Sequence, residues 1–311
     1  MAEIKLDEIN KRIVQGAEQA IAFAEEKYHN RVGEIADYVA AHEKIRIILL
    51  AGPSGSGKTT SANLIADAIR LRGEECMVVS LDDFYRDSTD PTYPKRADGE
   101  RDFECPEALH LDELSEVLKR IADNREFHLP RYDFKVGGRA SVTSYSPIGH
   151  GCVIIEGLHA LNPRIAEGIS DDCVLKIFVS VSTNVNVGGT RLISGRKVRF
   201  VRRLVRDSIY RGADAERTLN MWHHVLMAED VYLYPYKDCA DIAFDTFHVF
   251  ELGVMRPFAL SLLSEELAEG DEYVRVVRDA LIEVTPVEEK LVPDNSLIRE
   301  FIPGGMYESL Y

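Results

Sequence analysis

Two spacings of apolar residues alternate along this 311-residue chain. At the start, Leu6, Ile9, Ile13 and Ala17 recur at intervals of three and four, which puts them on one helix face. A second short helix is expected over residues 31–41. An unbroken apolar run at 45–51 then reads as a buried strand. Beyond it, 58–72 is a helical stretch stopped near Gly73, 77–81 a short strand, and 111–122 an amphipathic helix. Further apolar strands fall at 152–155, 174–181 and 242–244, and the pattern turns helical again from 250 to 284. Residues 86–103, rich in Asp, Pro and Arg, read as a loop, and the tail from Pro286 is mixed. Strands alternating with helices predict an α/β fold, a parallel sheet with helices on both faces. Ligands of such sheets gather at the carboxyl ends of the strands. The chain divides into an N-terminal helical extension (1–43), a core (44–249) and a C-terminal helical region with tail (250–311). The extension is expected either to pack on the core or to mark where a longer ancestor was cut.

The strand at 45–51 runs directly into Gly52-Pro53-Ser54-Gly55-Ser56-Gly57-Lys58-Thr59. This is a G-x-x-x-x-G-K-[ST] phosphate loop, with the strand before it and the helix after it that the motif requires. Its glycines let the backbone wrap closely around a polyphosphate in dihedrals that side chains forbid. The residues expected at a bound nucleotide are Gly52, Ser54, Gly55, Ser56, Gly57, Lys58, Thr59 and Thr60. Their N–H groups can point at the anion, aided by the helix dipole. Lys58 can reach the β- and γ-phosphates, and the Thr59 hydroxyl can ligate Mg²⁺. The motif predicts a nucleoside triphosphate and leaves open where the γ-phosphate goes.

A net charge of −15 argues against DNA or RNA as a bulk partner. Five cysteines, odd in number and with no close pair along the sequence, read as reduced thiols of a cytoplasmic protein. No apolar run reaches the ~18 residues of a membrane span, and the charged N-terminus lacks a signal-peptide core.

Two acids follow strands. Asp82 could take a proton from an acceptor hydroxyl or hold Mg²⁺ through water; the alternative is a cap for the next turn. Glu156 is expected in the Mg²⁺ shell, or else is a solvated strand end before a turn at Gly157. Residues 191–211 depart most from the overall composition, with eight basic residues and one acid, Asp207. Arg199, Arg202, Arg203 and Arg206 share one helix face, and Val201, Leu204, Val205 and Ile209 line another. Such a helix suits a lid whose arginines neutralise a transferring phosphoryl group; the alternative is a solvated basic helix or an RNA contact. The polar, glycine-containing stretch 180–195 before it is expected to be a mobile hinge. Tyr85, Tyr132 and Phe134 could stack on a base or fill the core. His223 and His224 are adjacent, do not share a helix face, and make no metal pair; Trp222 beside them is expected in the core.

In order, the segments GPSGSGKT, SLDDFYRD, DFECPEALHLDEL, LPRYDFKVGGR, VIIEGLHALNP and RRLVRDSIYRG resemble the uridine kinase and phosphoribulokinase family over residues 45–245. The likeness is greatest to uridine kinase-like proteins that often carry a threonyl-tRNA-synthetase-like N-terminal region, where this sequence shows the short helical extension; the tail VPDNSLIREFIPGG resembles the same subgroup. The resemblance implies a P-loop NTPase fold of nucleoside/NMP-kinase type, with an arginine-rich lid at about 185–212. It implies ATP and Mg²⁺ as cofactors, with Lys58, Asp82 and Arg206 catalytic and Arg203 at the ATP. Tyr85, Glu104, Tyr132, Phe134 and Arg211 would meet the acceptor, and Thr59, Glu156 and Asp82 the metal. Two departures bear on the acceptor. Glu104 stands where uridine kinases usually carry a ribose-binding Asp, and Lys135-Val136-Gly137-Gly138-Arg139 follows Phe134 where they carry a base-contacting His. Loss of such a hydrogen bond weakens uridine itself as the acceptor.

The expected function is therefore ATP- and Mg²⁺-dependent transfer of a phosphoryl group to a hydroxyl of a small molecule, a nucleoside first. A sugar or polyol kinase, a non-catalytic ATP-binding switch and an RNA-binding protein are the alternatives. The expected partners are a small-molecule acceptor and no membrane, with a homo-oligomer left open, in the cytoplasm.

Overall fold

The structure is a computed structural model that describes residues 2–96 and 99–310. In chain order its elements are β1 (Glu3–Lys5), α1 (Leu6–Ala40), β2 (Ile47–Ala51), α2 (Lys58–Arg70), β3 (Cys76–Ser80), α3 (Leu111–Ala122), β4 (Phe127–Asp133) and β5 (Gly138–Tyr145). They continue with β6 (Cys152–Glu156), β7 (Val174–Ser180), β8 (Asn184–Val187), β9 (Thr190–Ile193), α4 (Gly195–Arg211) and α5 (Ala215–Tyr232). The chain ends with β10 (Ile242–Asp245), α6 (Glu251–Leu262), α7 (Glu265–Gly270), α8 (Glu272–Glu283) and a run of short 3₁₀ turns.

Five strands form one parallel sheet in the order β10-β7-β2-β6-β3. All five residues of β2 are buried, because the strand lies centrally with helices on each face. Its side chains alternate between two cores: Ile48 and Leu50 meet α1, α2 and α4, while Ile47, Leu49 and Ala51 meet α3. The expected α/β fold with a parallel sheet covered on both faces is what the chain adopts. The parallel order sends β2, β3 and β6 to one sheet edge, where the phosphate loop, Asp82 and Glu156 follow. A cavity of ≈ 670 Å³ lies at the other edge, bounded by His42, Glu75 and Cys152, away from this chemistry.

Several elements differ from the sequence expectation. The two N-terminal helices are one helix, α1, interrupted at Gly16, where the backbone is extended. Its buried face packs on α2, and β1 ahead of it pairs in parallel with β8. The stretch expected as a mobile hinge thus contains the β8–β9 hairpin, with β8 at the centre of a three-stranded sheet between β1 and β9. The tail is a buried segment: Leu297, Ile298, Phe301 and Ile302 are all fully covered. The cysteines, separate in sequence, include one spatial pair, since the register of β3 and β6 sets Cys76 beside Cys152 with their Sγ atoms 3.5 Å apart.

The two ends of the chain meet in a buried polar cluster. Ser296 of the tail donates to Glu25 Oε1 of α1 at 2.5 Å. His29 Nε2 lies 3.7 Å from Glu25 Oε2, and His248 Nε2 lies 3.9 Å from Oε1. Both imidazole nitrogens and Glu25 Oε2 lack hydrogen-bond partners. Burial raises the Glu25 pKa to about 7, against a smaller lowering by Ser296. Burial also holds His248 down at about 3 and lowers His29, so neither offers Glu25 a counter-charge.

The folded chain therefore holds this proton more tightly than the unfolded chain. The stability it contributes is full below pH 4.5, the ordinary Glu value, and is lost as pH rises through about 7. Glu25→Gln, neutral throughout, should gain on the parent chain by about 3 kcal/mol between pH 4.5 and pH 8. Urea unfolding at both pH values measures this; a difference independent of pH would contradict it.

Candidate functional site

The phosphate loop leaves β2 at Gly52, where no side chain fits: a Cβ would stand 2.3 Å from the carbonyl oxygen of Val179 on the neighbouring β7. The loop enters α2 through Gly57 in the left-handed conformation, φ +83. Lys58 is half-buried and its Nζ donates to the carbonyl of Pro53 at 3.3 Å, so the amine lies over the loop. Thr59 is half-buried, and its hydroxyl is 3.4 Å from Glu156 Oε1 at the end of β6. Ser56 is fully buried, and its carbonyl accepts from the Thr246 hydroxyl at 2.7 Å.

A loop that turns its N–H groups outward must be held from behind, and α4 does this with arginines. Arg199 makes two hydrogen bonds of 2.8 Å to Glu229 of α5 and donates to the carbonyl of Ser54 at 2.7 Å. Glu229 in turn accepts the N–H of Ser54 at 2.9 Å. Arg202 pairs with Glu251 of α6 at 2.6 and 3.0 Å and donates to the carbonyls of Gly55 and Thr246. Arg199 and Glu229 are 1% and 0% exposed, and Arg202 and Glu251 both 0%, so these are core ion pairs. The single cationic face read from the sequence is therefore divided by depth. Its upper half braces the loop, and neither Arg199 nor Arg202 is available to solvent or to RNA.

Arg203 and Arg206 lie nearer the cleft. The Arg203 Nη1 donates to the Ser54 hydroxyl at 2.9 Å, and Arg203, Arg206 and Arg211 all pair with the one carboxylate of Asp207, at 3.2, 2.8 and 3.3 Å. Three guanidiniums on one acid leave a positive surplus. Desolvation, and then the neighbouring Arg206, lower the pKa of Arg211. Ser194 caps the start of α4 by accepting from the N–H of Lys197, and Gly212 ends the helix in the left-handed conformation, fixing where Arg211 stands.

Asp82 sits in the 3₁₀ turn that follows β3, its N–H bound by the Ser80 hydroxyl at 3.3 Å. Its carboxylate is open to solvent at the cleft floor, yet the surrounding walls displace enough water to raise its pKa, with Lys58 opposing. Asp83 faces away and accepts the N–H of Tyr132 at 3.1 Å, which ties the β4–β5 hairpin to this turn. Glu156 is buried, and burial raises its pKa to about 7, against Lys58 and with a further push from Asp82. Burial likewise raises Glu104; Arg203 opposes the rise and Asp82 adds to it. Glu104, 22 residues from Asp82 in sequence, therefore belongs to the same charged cleft.

Tyr85, Tyr132 and Phe134 form one aromatic cluster at the cleft mouth, with ring centroids 4.9–6.1 Å apart. The Tyr85 hydroxyl donates to the carbonyl of Phe103 at 3.0 Å, and Phe134 is 67% exposed. Of the residues singled out from the sequence, Lys58, Asp82, Glu104, Glu156, Arg203, Arg206 and Arg211 form one charged group and Tyr85, Tyr132 and Phe134 one aromatic group, whereas Arg199, Arg202 and Trp222 lie in the core. Those passed over are Glu229, Glu251 and Glu300, buried acids on helices and in the tail. Only the excess of arginine in α4 signalled that buried acids had to exist elsewhere.

The donor set suits a hard cation held mainly by a substrate. Among the described residues no group of three or more His, Cys, Asp or Glu side chains could hold a metal ion alone. Mg²⁺ commonly uses one or two protein oxygens together with substrate phosphates and water, and Thr59 and Glu156 present such oxygens side by side. Among the described residues no helix is long and apolar enough to cross a membrane.

Residues 47–252 match the model of the Phosphoribulokinase / Uridine kinase family. A uridine kinase of Schizosaccharomyces pombe is 32% identical over 187 residues, which is 60% of this chain and 37% of that protein. A uridine kinase of Staphylococcus aureus is 30% identical over 198 residues, 63% of this chain and 85% of that protein. A solved structure described as "a Possible Uridine Kinase from Bacillus stearothermophilus" is 18% identical, covering 70% of this chain and 100% of that chain at a TM-score of 0.46.

The bracing pairs make a direct prediction about stability. Arg202→Ala leaves Glu251 buried without its partner and should cost about 3–5 kcal/mol in urea unfolding. The double change Arg202→Met with Glu251→Leu should cost substantially less, since no charge is stranded. A cost below about 1 kcal/mol for the single change would show that the pair does not carry the load assigned to it.

Proposed function

This chain belongs to the phosphoribulokinase and uridine kinase family of P-loop kinases, and from that premise we propose that it transfers the γ-phosphoryl group of ATP, with Mg²⁺, to a hydroxyl of a small molecule. The observation that supports the proposal is that Asp82, following β3 at the carboxyl edge of the sheet, feels the charges of Lys58 and of Arg211, which shares Asp207 with Arg203 and Arg206. A switch that only binds nucleotide needs no carboxylate beside an open acceptor cleft.

In this reading the loop N–H groups and Lys58 cradle the β- and γ-phosphates. Mg²⁺, when bound with the nucleotide, neutralises charge on those phosphates. Thr59 and Glu156 would hold it, with Asp82 reaching its shell through water. Asp82 accepts the proton of the attacking hydroxyl, and its raised pKa makes it a better base than an ordinary Asp. Arg203 and Arg206 stabilise charge on the transferring group, while Arg211 steers the acceptor side. Glu104 would bind vicinal hydroxyls of the acceptor, and Tyr85, Tyr132 and Phe134 would offer flat faces to a base.

A nucleoside is the leading acceptor on the strength of that aromatic cluster. A sugar or polyol is the second reading, favoured by Lys135 and Val136 standing after Phe134 where a base-contacting histidine would be expected. The acidic composition fits the cytoplasmic location expected from the sequence.

ADP release from Mg-ATP against nucleosides, sugars and polyols tests the assignment. One class should give turnover, and Asp82→Asn should lower kcat by about 10²–10⁴-fold with ATP binding intact. Near-normal kcat in folded Asp82→Asn would remove Asp82 as the base. A basal rate shared by both proteins on every acceptor would favour the switch reading.

A further inference from the structure

The phosphate-loop reading gives a bound nucleotide the N–H groups at the start of α2, that of Thr60 among them. In the nucleotide-free chain a carboxylate already stands at this one. Glu300 Oε2 accepts the N–H of Thr60 at 3.2 Å and the Thr60 hydroxyl at 2.9 Å. A backbone amide has a single hydrogen to donate, so the carboxylate and a phosphate oxygen compete for it. They also repel, since both carry negative charge. The two anions exclude one another from this position.

We propose that Glu300 is an autoinhibitory contact: its carboxylate stands in for a phosphate at the first turn of α2 while the site is empty, and a nucleotide must displace it to bind. Three observations carry this. The charge of Glu300 belongs to the site, because it adds to the rise of Glu156, the acid beside Thr59. Arg299, its neighbour in the chain, is engaged elsewhere: the guanidinium donates to the carbonyls of Glu289 and Val292 at 3.1 and 2.6 Å and to the Glu289 carboxylate at 3.2 Å. The segment is also fixed against the site on both sides of Glu300. Side-chain carbons of Leu297 stand 2.7–2.9 Å from where a Cβ on Gly57 would be. The Phe301 ring lies 5.0 Å from the guanidinium of Arg202, which donates to the carbonyl of Gly55 in the loop. With Leu297, Ile298, Phe301 and Ile302 fully buried, the tail stays seated and the movement required is a rotation of the Glu300 side chain alone. Glu300 lies outside the 47–252 stretch matched to the family. The inference rests on the nucleotide-site reading above, but on no particular acceptor.

Calorimetric binding of Mg-ATP to the full chain tests it without an acceptor. Glu300→Ala removes the competitor and should tighten binding roughly tenfold, the worth of a hydrogen bond to a charged group. Glu300→Gln keeps an amide oxygen that competes for the Thr60 N–H but carries no charge, and should tighten it about threefold. The free Glu300→Ala chain should also melt at a lower temperature than the parent, having lost both bonds to Thr60. A less stable free chain that binds nucleotide more tightly is a pairing that a purely structural residue does not produce. Affinity in Glu300→Ala equal to or weaker than that of the parent overturns the inference. If Glu300→Ala does not fold, affinity in Glu300→Gln no tighter than in the parent overturns it instead. Mg-ATP binding by none of the three chains overturns the nucleotide-site reading and this inference with it; binding that is indifferent to Glu300 overturns the inference alone.

Discussion

A phosphate-binding loop has to keep its own backbone donors unspent, so its shape must be set by groups on its far side. In this chain that support is ionic. Arg199 with Glu229 and Arg202 with Glu251 reach the carbonyls of Ser54 and Gly55, and the second pair also gathers Thr246 from the end of β10. Burying two full ion pairs is costly against an apolar alternative of the same volume. What the pairs contribute instead is direction: a guanidinium can grip two carbonyls and a carboxylate at fixed angles, which an aliphatic side chain cannot. The remaining architecture follows from this demand. Helices α5 and α6 carry the matching acids, and α4 must lie across the back of the loop to deliver the arginines.

The same helix also shapes the field in the cleft. The chain carries a net charge of −15, yet Lys58 and Arg203 touch the loop and Arg206 and Arg211 join Arg203 around the single carboxylate of Asp207. A positive recess in a negative molecule draws polyphosphate and discourages longer polyanions, which meet the acidic exterior first. Within it, burial raises Asp82, Glu104 and Glu156, Asp82 adds to the rise of the other two, and Lys58 opposes it at all three. Their raised pKa values are the electrostatic counterpart of a site shaped for cations and for the phosphates that accompany them.

What could be read from the sequence divides along physical lines. Strands β2, β3, β6, β7 and β10 were legible because each is a short apolar run between turn signals, and α3 because its apolar spacing is regular. The phosphate loop, Asp82 and Glu156 were legible because local order alone puts them at strand ends. The β8–β9 hairpin was not, since its polar sequence is ordered by β1, some 180 residues earlier, and not by its own periodicity. Helical spacing correctly grouped Arg199, Arg202, Arg203 and Arg206, but periodicity assigns a direction around an axis and carries no depth. Whether an arginine meets solvent or a buried glutamate depends on Glu229 and Glu251, which nothing local connects to α4. The cluster of Glu25, His29 and His248, and the contact of Glu300 with Thr60, were invisible for the same reason.

The separation of Thr60 from Glu300 has a consequence for the chain as it is made. The two residues are 240 positions apart, and ribosomes add roughly 5–20 residues per second. The first turn of α2 therefore waits some tens of seconds for its partner, while the sheet and α4 can already assemble. Until the tail emerges, the fully buried surfaces of Leu297, Phe301 and Ile302 have no chain to cover their seat. Nascent protein thus passes through a stage in which the sheet is formed, the groove behind the loop is bare, and Thr60 has not yet met Glu300. Emergence of residues 297–302, rather than collapse of the core, is the event that closes that groove.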